Sequence, residues 1–156
     1  MPDRVSFQVE ESSRTPLLGL VFGWIAMLPF VFGALASWAL TDGSHAVAAT
    51  ITWGGAILAF LAGVRRGLSF RTPGWEDSAQ IATMLGLFLL ALAALSSDSP
   101  VVSVVLLLIG YAGIAVLDPI AAARREVPLF FAHLRPVQML IPVGSLVAIL
   151  WHLLRG

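Results

Sequence analysis

The sequence predicts an all-α membrane protein: a compact bundle of five transmembrane helices, N-terminus in the cytoplasm and C-terminus in the periplasm. Three observations predict it. Hydrophobic residues make up 58% of the 156 and charged residues only 12%, about half the share of an ordinary soluble domain. Five stretches of at least 17 residues contain no Asp, Glu, Lys or Arg: 17–40, 46–64, 79–95, 100–117 and 137–154. About 17–25 mostly apolar residues suffice for a helix to cross some 30 Å of hydrocarbon. The basic residues also fall on one side. Five spans place Arg4, Arg14, Arg65, Arg66, Arg71, Arg124, Arg125 and Arg135 together and leave only Arg155 opposite, a positive-inside pattern. Losing one internal span would flip the later segments and spoil that asymmetry.

Residues 1–15 read as a cytoplasmic tail, and 16–156 as one transmembrane domain. Asp3, Glu10 and Glu11 argue against a transit peptide. Thr15-Pro16 opens the first helix, Thr as cap and Pro at the first helical position. Gly19 and Gly23 lie four apart, a spacing that lets another helix approach closely. Pro29 predicts a kink within the span, since it has no N–H and crowds the preceding turn. Trp24 and Trp38 read as packing and interface residues. Residues 41–45, Thr-Asp-Gly-Ser-His, make a tight external turn, so the first two helices form an antiparallel hairpin.

The second span is the most patterned. Gly55, Ala59 and Gly63 share one face and permit close helix packing, which puts this helix at the bundle centre. It ends at Arg65-Arg66-Gly67, where the helix dipole and the cytoplasmic interface both favour cations. The next loop turns at Pro73-Gly74 and carries Trp75 as an interface anchor. Glu76, Asp77 and Ser78 suit the start of the third helix.

The third span is the shortest. Residues 96–99, Ser-Ser-Asp-Ser, turn it into the fourth, with Ser99 capping and Pro100 at the helix start. Tyr111 in the fourth span is expected to hydrogen-bond inside the bundle. The fourth loop, 118–136, mixes Phe130, Phe131 and Leu134 with Arg124, Arg125, His133 and Arg135, and is expected to lie along the cytoplasmic surface as an interfacial segment. Pro142 kinks the last span, and Trp151-His152 falls at the external interface.

Residues 60–67, Phe-Leu-Ala-Gly-Val-Arg-Arg-Gly, resemble a small bacterial membrane family, the domain of unknown function 3429 family, whose eukaryotic relatives include mitochondrial transmembrane protein sixty-nine. That family reads Phe-Leu-Gly-Gly, an aliphatic residue, then Arg-Trp-Gly. Leu28-Pro29-Phe30 and Leu134-Arg135 add to the likeness, which spans roughly residues 17–154. Ala62 and Arg66 depart from the pattern, and the third span lacks the expected proline. The resemblance implies the fold and a location in the bacterial inner membrane; it implies no reaction.

No nucleotide loop, zinc motif or triad spacing is present, no Cys is available, and net charge is zero. The sequence therefore calls for no metal, cofactor, catalytic residue or nucleic-acid partner. His45, His133 and His152 fall on both sides of the predicted membrane. The leading reading is a non-catalytic accessory, assembly or stabilising subunit, whose partners are the lipid bilayer and other integral membrane proteins or itself. A small transporter or channel is one alternative, with Thr50, Thr52, Thr83 and Ser145 as polar candidates for a path. The other is a binder of anionic lipid headgroups at the cytoplasmic face. There Arg65, Arg66, Arg71, Arg124, Arg125 and Arg135 gather phosphate, and His133 acts as a base oriented by Asp118.

Overall fold

The first span is broken where its proline demands. Pro29 has no N–H to offer the carbonyl of Ile25, and the helix tightens just ahead of it. Met27 bonds to Trp24 and Phe30 to Met27, both across three residues instead of four. The span thus divides into α1, Leu17–Ile25, and α2, Leu28–Ala39, with Pro29 inside the first turn of α2. Four longer helices follow: α3 (Ser44–Ser69), α4 (Ser78–Ser96), α5 (Pro100–Ala123) and α6 (Leu129–Arg155). In this computed structural model the backbone is described for residues 17–69, 78–123 and 129–155. Side chains are described over the same ranges except 17–20, 65–69, 79, 120–123 and 129–135.

The tight turns are built as their residues dictate. Asp42 Oδ1 accepts the Ser44 N–H at 2.9 Å, and the Gly43 carbonyl accepts the Val47 N–H at 3.0 Å, which starts α3. Gly43 lies so close to Ser37 that a Cβ there would come within 2.6 Å of its carbonyl oxygen, so a larger residue would push the turn off α2. At the other hairpin, the Ser99 hydroxyl accepts the Val102 N–H at 3.5 Å, and the Ser97 hydroxyl accepts the Ser99 N–H.

α2, α3, α4, α5 and α6 pack as a closed ring in which each touches the next and α6 returns to α2. α3 and α5 also meet across the interior, so those two are the central helices. α1 takes part in none of the extensive helix–helix contacts among the described residues. Four segments are long and apolar enough to cross a membrane: Val21–Ala39, Ser44–Val64, Pro100–Pro119 and Pro136–Arg155. The fifth, α4, is shorter, with its apolar part at Gln80–Ser96. At 19 residues it rises about 28 Å, enough for a thin crossing.

Three helices outrun the apolar stretches that mark them in the sequence, all at the predicted cytoplasmic end. α3 continues past Val64 to Ser69, and α5 past Leu117 to Ala123. α6 begins at Leu129, so the part of the fourth loop expected before Val137 is helical and continuous with the last span, through Pro136 and Pro142. Charge ends an apolar run but not a helix: α3 and α6 continue through Arg, itself a good helix former, and α5 passes Asp118 and Pro119 into a run of alanines. Asp118 and Pro119 are corrected from loop to helix on this evidence.

Candidate functional site

The bundle interior is closed by large side chains and tied by few polar bonds. Phe30, Leu58, Leu107, Tyr111, Ile114, Met139, Leu146 and Ile149 are all fully buried. Phe30 meets the Tyr111 ring edge-on, 5.3 Å between centroids. The Tyr111 hydroxyl donates to the Gly54 carbonyl at 2.8 Å, linking α5 to α3 as its position suggested. Gly54 makes that approach possible, since a Cβ there would press on Leu107 and Phe30 at 3.0 and 3.2 Å. Gly110 performs the same service for Leu58. With no water to expel between helices in lipid, such close dispersion contacts supply most of the association energy.

Most buried polar groups are satisfied locally. The hydroxyls of Ser37 and Thr50 donate to carbonyls one turn back, and the Ser103 hydroxyl reaches across to the Ala94 carbonyl on α4 at 2.8 Å. Thr50 is buried against Gly33, while Thr52 is exposed and bonded to its own helix. Thr83 and Ser145 are half-buried. Thr50 and Thr52 therefore face opposite ways and do not line one path. Two tryptophans tie helices together. Trp53 Nε1–H donates at 2.9 Å to the Ala26 carbonyl, which the tightened turn before Pro29 has released. Trp38 Nε1–H donates at 3.1 Å to the Ala148 carbonyl, and its ring lies 5.2 Å from that of His152. Arg155 covers the Trp151 ring at 4.3 Å on the same end of the bundle, a cation–π contact suited to a headgroup boundary.

The small residues picked from the sequence occupy different surroundings. Gly55 is buried against Leu95 of α4, where a Cβ would come within 2.5 Å of that side chain. Ala59 packs at the margin of the core. Gly63 is exposed, with nothing within 4 Å of a Cβ. The buried stripe of α3 runs instead through Val47, Thr50, Gly54, Leu58 and Ala62, one residue out of phase with 55–59–63 and meeting it only at Gly55. Gly19 is helical in α1, and its surroundings lie outside the described side chains. Gly23 faces Gln138 of α6, its Cβ position 2.8 Å from Nε2.

Of the arginines, Arg65 and Arg66 ride on the extended end of α3 and Arg135 on the first turns of α6. Their side chains, and that of His133, lie outside the described set, as do Arg71, Arg124 and Arg125 altogether. Trp75, Glu76 and Asp77 lie outside it too. Asp118 is 6% exposed near the same end of α5 and engages a partner of its own. Among the described residues no three His, Cys, Asp or Glu side chains gather as a metal site would require.

Sequence reasoning passed over Gln138. It is 4% exposed, and its Nε2 has no hydrogen-bond partner among the described residues. One amide in an apolar run gives little signal; the cue was its place one turn after Arg135, on the same helix face.

No protein-family model, curated protein or solved structure matches this chain.

Proposed function

We propose that this integral membrane protein is a non-catalytic accessory or stabilising subunit of the bacterial inner membrane that packs against other membrane proteins. The plugged interior carries the reading: Phe30, Tyr111, Leu58 and Leu107 fill the crossing of α2, α3 and α5, and the inward hydroxyls are spent on backbone carbonyls. The apolar surface is correspondingly outward. Phe22, Phe32, Leu35, Phe60, Leu89, Ile109, Val116 and Leu140 are exposed around the ring, suited to lipid tails and to neighbouring helices. The likeness of residues 60–67 to the domain of unknown function 3429 family belongs to the same proposal and bears on fold and location.

The test is affinity purification of the full chain from native membranes in a mild detergent, with mass spectrometry of what is retained. A stoichiometric integral membrane protein is expected. A solitary monomer across several mild detergents contradicts the subunit reading.

A further inference from the structure

Gln138 is enclosed within the bundle, and its amide Nε2 has no acceptor among the described residues. A buried donor left unbonded is costly, above all where no water can reach it. Enclosure narrows the source of an acceptor to the protein itself. The group that Nε2 abuts is Gly23 of α1. A Cβ on Gly23 would lie 2.8 Å from Nε2, so the amide rests on bare backbone. The break ahead of Pro29 leaves that same backbone short of a donor. In an unbroken helix the Gly23 carbonyl accepts the Met27 N–H, four residues on. Here the Met27 N–H turns to the Trp24 carbonyl at 3.0 Å, and no bond to the Gly23 carbonyl takes its place among the described residues. An unsatisfied donor on α6 and an unsatisfied acceptor on α1 thus belong to neighbouring residues. The two facts have separate origins: one is the side chain of Gln138, the other the missing N–H of Pro29.

α1 is built to move as a piece. It has nine residues, is set off by the tightened turn at Ala26–Met27, and stands outside the extensive contacts of the ring. Its far end is held at one point. The Ala26 carbonyl accepts the Trp53 Nε1–H at 2.9 Å, and Met27 is buried beside it. The pivot is therefore at Ala26–Met27, with Gly23 one turn before it. A small rotation of α1 about that pivot re-aims the Gly23 carbonyl, while α2 stays seated through Phe30, Ala34 and Ser37.

We infer that α1 is a pivoting arm latched by Gln138. The arm has two positions: the unbonded one of this structure, and a latched one in which Gln138 Nε2–H donates to the Gly23 carbonyl. Pro29 creates the free carbonyl, Gly23 lets the amide reach it, and Gln138 closes the latch. The latch ties the first helix of the chain to the last, so anything that draws on α1 works against that bond. The device does not depend on the protein being a subunit of something larger.

The test uses the full chain in lipid nanodiscs, with spin labels on Phe22→Cys of α1 and Leu154→Cys of α6. Both sites are exposed, and the chain has no native cysteine. Pulsed electron spin resonance reads the distance distribution between them, and thermal unfolding is followed in parallel. With Gln138 intact, a narrow latched component is expected. Gln138→Met keeps the bulk and deletes the donor; it is expected to lose that component and to lower Tm. Pro29→Ala gives the Gly23 carbonyl its Met27 N–H back, so in that background Gln138→Met is expected to change nothing. Gly23→Ala holds the amide off the backbone and is expected to give the same loss, which serves should Gln138→Met fail to fold. Survival of the narrow component in the folded variants overturns the inference. So does an equal effect of Gln138→Met with and without Pro29. A raised Tm in Gln138→Met overturns it as well, because the amide is then unpaired in every position the arm takes.

Discussion

Two polar side chains, Tyr111 and Trp53, hold positions that lipid makes consequential, and a third, Asp42, holds an exposed turn. Tyr111→Phe keeps the ring against Phe30 and deletes only the bond to the Gly54 carbonyl. A loss of about 0.6–1 kcal/mol is expected, because bonds between helices in membranes are modest in net value. Trp53→Phe strands the Ala26 carbonyl that the proline break released, and should cost about 1 kcal/mol. Reversible unfolding in mixed micelles measures both; unchanged stability in either would remove that bond from the list of supports. Asp42 is the residue with a pH signature. Hydrogen bonds from the Ser44 side chain and backbone hold its carboxyl below the ordinary carboxylate value. The folded state then binds this proton more weakly than the unfolded state. Its contribution is complete above the unfolded value and is lost as pH falls below about 4 toward the lower folded value. Asp42→Asn should flatten that acid limb, read as stability between pH 3 and 6, by lowering stability slightly on the neutral side and matching wild type in acid; the effect is small because the group is exposed.

At the level of helices, the glycines divide into those that admit a neighbour and those that face out. Gly110→Ala presses on Leu58, a buried side chain with nowhere to go, and is expected to cost about 1–3 kcal/mol by overpacking. Gly63→Ala, at an exposed helical position with open space, is expected to be neutral or to stabilise by up to about 1 kcal/mol through helix propensity. Parallel denaturation of the two variants checks the contrast, and equal effects would contradict the packing described for α3 and α5. The same positions show what the sequence made legible. Every span could be read because an uncharged run long enough to cross a bilayer has few other uses, and Pro29 announced the break between α1 and α2. The packing phase of α3 could not be read. Gly55, Ala59 and Gly63 are all small, whereas Gly54 and Ala62 flank the bulky Leu58, so residue size alone points to the wrong face until Phe30, Leu107 and Tyr111 arrive from other helices to choose Gly54. Helix ends were misjudged for a related reason: Arg65, Arg66 and Arg135 terminate hydropathy while continuing the backbone bonds.

For the molecule as a whole, an odd number of crossings decides everything that depends on sidedness. The extended ends of α3 and α5, the start of α6, Asp118 and Gln138 belong to one end of the bundle. The hairpin turns near Asp42 and Asp98, with Trp38, His152 and Arg155, belong to the other. The candidate site was only half legible in the sequence. The arginine asymmetry could be counted, but an unpartnered amide becomes visible only once α1 is seen lying over it. α4 is the critical element, because it is the shortest crossing, and without it Arg65 and Arg124 would lie on opposite sides. Sidedness can be measured cleanly because the chain has no native cysteine. Single cysteines at Ser12, Asp42, Asp98 and Arg155 would be probed in intact cells with a membrane-impermeant maleimide, before and after permeabilisation. Labelling of Asp42→Cys, Asp98→Cys and Arg155→Cys from outside, with Ser12→Cys reached only after permeabilisation, is the expected result. Ser12→Cys and Arg155→Cys labelled from the same side would contradict the five-span bundle and every assignment of a cytoplasmic face that rests on it.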